Sequence, residues 1–154
     1  MKILLLLLLL TPTAFAYEVQ EYKGLKVKHK IGLCPSWVSA CYFHESTNIN
    51  MEIYKTEREY KRILDHEYAH HVHFALMSDE DRAIWNRVTN KVLILPTLKK
   101  YNLRTDIQFA WWYASTSIYE DFAESAYAKY DGVFDSYLDL KILLAKYMMN
   151  KYAQ

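Results

Sequence analysis

Five consecutive residues, His66-Glu67-Tyr68-Ala69-His70, constrain this chain more than any other feature. Residues four apart in a helix stand one turn apart on one face, so two imidazoles at this spacing converge on a single point. The flanking letters agree with a helix. Thr56 followed three residues later by Glu59 is a capping-box signature, which predicts a helix from about Glu57. Ile63, Leu64, Tyr68, Val72 and Ala75 then repeat at helical spacing as far as Ser78.

Two convergent imidazoles suit one metal ion, zinc above all. Glu67 lies roughly 100° round the helix from His66, which sets its carboxylate beside a metal-held water and off the metal itself. Zinc lowers the pKa of such a water toward about 7, and a neighbouring carboxylate takes its proton as it attacks a peptide carbonyl. Uncharged Tyr68 and Ala69 inside the motif fit a buried catalytic helix. The competing reading is a pair of histidines making polar contacts on an amphipathic helix.

A catalytic zinc needs a third protein ligand and an open position. In the pattern H-E-x-x-H-x-x-G-x-x-H the glycine would fall at His73 and the last histidine at Leu76, and both fail. A glutamate from a later helix is the other source. Glu120 and Glu124 stand one turn apart in the segment Ile118 to Tyr130, so Glu120 is the candidate ligand. Glu124 is placed to accept a hydrogen bond from a ligand imidazole and fix its tautomer. A solvated pair of surface carboxylates has the same spacing.

These residues together resemble the gluzincin-type zinc metallopeptidases. The string Glu120-Asp-Phe-Ala-Glu124 is similar to the catalytic domain of anthrax lethal factor-like peptidases. That resemblance implies a zincin-like domain with His66, His70 and Glu120 as ligands to one Zn2+ per chain and Glu67 as general base. It further implies that Tyr113, seven residues before Glu120, stabilises the oxyanion. A peptide or protein substrate would pair with the strand before the active-site helix, expected over Asn48–Tyr54 at the sheet edge. The companion domain with which lethal factor selects its substrate has no counterpart here. An exported zinc-binding or interaction module without peptidase activity is the alternative.

The rest of the chain sets the context. Lys2, the apolar run Ile3–Leu10 and Ala14-Phe15-Ala16 read as a signal peptide over residues 1–16, cleaved near Ala16. Secretion or periplasmic export of residues 17–154 as one domain is the expectation, with a monomer as the simplest state. Cys34 and Cys41 are then expected to form a disulfide, adding about 2–3 kcal/mol. A net charge of +1 gives no reason to expect nucleic acid, and no later segment is apolar enough to span a membrane. Three glycines and three prolines argue against a turn-rich all-β fold.

Alternation of apolar and polar residues predicts a strand over Leu25–Ile31 and another over Ile49–Tyr54, with Ile49, Met51 and Ile53 on one face. After the long first helix, further helices are expected from Ser78 to Val92 before Pro96, from Ile118 to Tyr130 before Gly132, and from Ser136 to about Tyr152. The predicted class is α+β, a short antiparallel sheet followed by helices. His71 and His73 extend the histidine cluster; His73, near the face of His66 and His70, either binds a second metal or tunes the first, or simply packs and hydrogen bonds beside the site. Trp111 and Trp112 either wall a pocket or join the core. His29 and His44 have no informative partner.

Overall fold

Lys23 and Gly24 make the first turn, both at positive φ (48° and 81°), as a two-residue type I′ hairpin demands. In the computed structural model, which describes residues 19–54, 56–90 and 108–153, this turn folds β1 (Glu21–Tyr22) antiparallel onto β2 (Leu25–Lys28). Leu25 and Val27 are buried and Lys26 and Lys28 face out, as the alternation predicts. β3 (Ala40–Phe43) pairs antiparallel with β4 (Asn48–Met51), and β4 pairs in parallel with β2.

The strand order β1-β2-β4-β3 corrects two expectations. The sheet is mixed and not antiparallel, because residues 29–47 are long enough for the crossover that a parallel pair needs. The segment Asn48–Tyr54, expected at the edge, instead holds the interior strand, with all four residues of β4 buried and both sides paired. β3 is the edge on this side. β2 also stops short of Ile31, which is 86% exposed. β4 ends at Met51, because the N–H groups of Glu52 and Ile53 turn to the Ser39 carbonyl (2.9 and 3.1 Å), leaving Ile53 exposed.

α1 (Glu57–His71) begins where expected, with Thr56 Oγ1 accepting the Glu59 N–H at 3.1 Å. It does not run regularly to Ser78. From Val72 to Leu76 it widens into a π-helical turn, closed by the Met77 N–H on the Val72 carbonyl at 2.8 Å. Ser78 caps α2 (Asp79–Thr89); Val92 and Pro96 lie outside the described residues, as do residues 1–16, the expected signal peptide. α3 (Ile118–Tyr127) ends one turn before Tyr130, and α4 (Tyr137–Tyr152) starts from a full Ser136/Asp139 capping box.

α3 lies between α1 and α4. Val27, Ile49 and Met51 of the sheet meet Leu64 and Tyr68 of α1, and the same core continues through Phe122 and Ala123 to Met148. The class is therefore α+β. Cys34 and Cys41 form the expected disulfide, with Cα atoms 5.7 Å apart. Among the described residues no helix is long and apolar enough to cross a membrane.

Candidate metal centre

His66 and His70 leave α1 on one face, and Glu120 reaches them from the first turn of α3. Ser117 fixes that turn, its hydroxyl accepting the Glu120 N–H at 3.1 Å. His66 Nε2 stands 2.9 Å from Glu120 Oε2 and 3.2 Å from His70 Nε2, and His70 Nε2 is 3.4 Å from the same carboxylate oxygen. Ligands bound at about 2.0–2.2 Å around a tetrahedral ion stand about 3.3–3.5 Å apart. The triangle of 2.9, 3.2 and 3.4 Å is close to that size, so these three residues form a group that can hold a metal ion.

The chemistry of the donors points the same way. His66 Nδ1 lies 3.0 Å from Glu124 Oε1, where its N–H donates to the carboxylate. That bond puts the lone pair of neutral His66 on Nε2, facing the Glu120 oxygen and the second imidazole. Only a cation or an added proton makes the convergence favourable. Burial disfavours an imidazolium at His66, but the hydrogen bonds to Glu120 and Glu124 outweigh it and push its pKa up to about 10. For Glu120, too, burial opposes the charge, and the two histidines overcome it, holding the carboxyl at about 2.

Glu67 points elsewhere on the helix and is 5% exposed. Burial raises its carboxyl above the usual range, while His70, His66 and the Tyr42 backbone N–H pull it back. Tyr113 comes from a short 3₁₀ turn (Trp112–Ser115), its ring centroid 6.2 Å from that of His66. Burial, then the charge of Glu120 and a hydrogen bond to it, hold its phenol protonated well above the ordinary tyrosine range.

Two clefts of about 270 and 260 Å³ flank the group. Glu67 and Tyr113 line both, so they sit at the junction. Trp111 and Trp112 are 48% and 69% exposed and wall the first cleft, so they are not core residues. His71 takes the hydrogen-bonding role, 2.8 Å from the Tyr42 hydroxyl. His73 is not drawn to the metal group. Its ring packs among Phe74, Tyr119 and Phe122, and neither nitrogen has a hydrogen-bond partner among the described residues. Burial, with His70 and Arg82 adding to it, pushes its pKa down to about 4.

Sequence reasoning missed Tyr42, which meets both Glu67 and His71, and the aromatic pair Phe74 and Tyr119, which lines the second cleft. Nothing local marks these residues, because they join the site only through the fold. Ser117 was findable: Ser117-Ile-Tyr-Glu120 has the spacing of a helix cap. No protein-family model, no curated protein and no solved structure matches this chain.

Proposed function

We propose that this chain is a zinc-dependent peptidase, exported after loss of residues 1–16, which hydrolyses peptide bonds in a peptide or protein substrate. One observation carries the reading: three donor atoms from two helices converge to metal-binding distances beside a buried carboxylate that is not one of them, at the junction of two open clefts. Two imidazoles and one carboxylate are a common ligand set for catalytic zinc, whereas structural sites are four-coordinate and closed.

His66, His70 and Glu120 would hold the ion, and Glu124 orients His66. A bound zinc supplies Lewis acidity toward water and a carbonyl oxygen. Glu67 takes the proton of the attacking water and passes it to the leaving amine, a task suited to a carboxyl that burial makes more basic. Tyr113, held protonated, donates to the negative charge that develops on the carbonyl oxygen. An extended substrate pairs with the outer edge of β3, the edge strand among the described residues, in place of the interior Asn48–Tyr54 segment; the Tyr42 N–H on that strand is already taken by Glu67. The disulfide supports export to an oxidising compartment.

The test is cleavage of a mixed peptide pool by zinc-loaded protein, read by mass spectrometry. Wild type should cut, and Glu67→Gln should lower turnover at least about 100-fold while keeping its zinc. Zinc-loaded wild type that leaves the pool intact would favour a zinc-binding module instead; zinc lost from the variant would make Glu67 a ligand and not a base.

A further inference from the structure

The disulfide encloses the residues that form one wall of both clefts. Pro35, Trp37, Val38, Ser39 and Ala40 lie between Cys34 and Cys41, and each lines at least one of the two cavities. Trp37, Val38 and Ala40 line both, across from Tyr113 and Glu67. Ala40 is buried in the core, but the middle of the loop has little packing of its own. Pro35 and Ser36 are exposed and Trp37 is 73% exposed, so apolar burial does not fix their position.

What fixes the loop lies at its two feet. At one end the Glu52 carboxylate accepts the N–H groups of Cys34 (2.5 Å) and Gly32 (3.0 Å). Asn50 there donates to the Lys30 carbonyl at 2.9 Å. At the other end Ser39 is tied to Glu52 and Ile53, and Cys41 enters β3. Between the feet, the Val38 N–H on the Pro35 carbonyl at 3.0 Å is a local turn that does not connect the loop to the body. The covalent bond joins the feet. The metal donors stand on α1 and α3, and among the described residues none of the three is hydrogen-bonded to this loop.

We propose that the Cys34–Cys41 disulfide is a substrate-positioning staple, which holds Trp37 and its neighbours as the wall against which the peptide lies. Ligand recognition, but not metal binding, thereby depends on the redox state. The inference rests on the peptidase reading above. A phosphine, which unlike a dithiol presents no thiolates to the zinc, breaks the S–S bond: phosphorus gives up two electrons and takes the oxygen of a water, whose two protons complete the two cysteine thiols. A freed loop must then be ordered at each binding event, a cost that weakens affinity.

Two zinc-directed probes separate the wall from the metal. Acetohydroxamate presents the chelating group alone, and a Leu-Trp dipeptide hydroxamate adds side chains that reach the wall. Calorimetric titration of zinc-loaded protein, before and after phosphine treatment and as Trp37→Ala with the disulfide intact, gives their Kd values. Reduction and Trp37→Ala should each weaken the dipeptide probe about ten-fold and leave acetohydroxamate and zinc content unchanged. An unchanged dipeptide Kd in either state would overturn the staple. Equal weakening of both probes, or loss of zinc on reduction, would overturn it too, by showing that the disulfide supports the fold as a whole. If acetohydroxamate fails to bind zinc-loaded wild type, the peptidase reading falls first and the staple with it.

Discussion

Glu120 and Asp121 are neighbours on α3 with the same charge and opposite surroundings. Asp121 is fully buried, with both carboxylate oxygens 2.5 Å from Lys141 Nζ and further donors from Thr89 and Ser125. Its polar partners among the described residues are all donors; burial still raises its carboxyl, and Lys141, Thr89 and Ser125 oppose that. Glu120 faces the cleft and meets two imidazole nitrogens, one of which Glu124 has already turned lone-pair outward. A buried charge with a complete set of donors fastens helices together. Convergent acceptor atoms from two helices instead form a group that could hold a metal ion.

The comparison breaks most visibly at Lys141. Lys141→Met should leave Asp121 buried without its counter-charge and cost about 3–5 kcal/mol of stability by urea denaturation. Adding Asp121→Leu should restore most of it. The double variant should still bind zinc, since the pair only joins α3 to α4. A single variant that loses less than about 1 kcal/mol would mean that solvent reaches the pair.

Glu124→Gln sharpens the other side. The amide keeps a carbonyl oxygen for His66 Nδ1 but loses the negative charge, so zinc affinity should fall about 10–100-fold with little change in stability. Unaltered affinity by competition with a fluorescent chelator would demote Glu124 to surface charge.

Protons should compete with the metal. His66 rises from 6.5 to about 10 in the metal-free protein. A pKa raised on folding stabilises the metal-free fold fully below about 6.5, and that contribution fades as pH climbs through about 10. Below about 10 zinc must displace that proton, and each step up in pH makes the displacement easier. Its affinity should therefore improve by up to about ten-fold per pH unit between pH 7 and 10. A flat profile would show that His66 carries no proton to displace.

Local chemistry was legible in the letters. The cap at Thr56, the turn spacing of His66 and His70, and the Glu120/Glu124 pair all act through residues three or four apart, and the structure joins them as expected. Topology was not. The pattern of Asn48–Met51 reads the same in an edge strand and an interior one, and only its parallel pairing with β2 shows that β3 takes the edge. The π turn after His71 was equally silent, as was the place of Trp111 and Trp112, whose rings suit a core or a cleft wall.

The most direct test of the central claim is the zinc content of the purified mature protein by elemental mass spectrometry, with Glu120→Ala beside it. Wild type should carry about one zinc per chain, and the variant should bind none or be readily stripped by a chelator. Wild type that stays metal-free after incubation with zinc, or a variant that holds zinc as firmly as wild type, would contradict it.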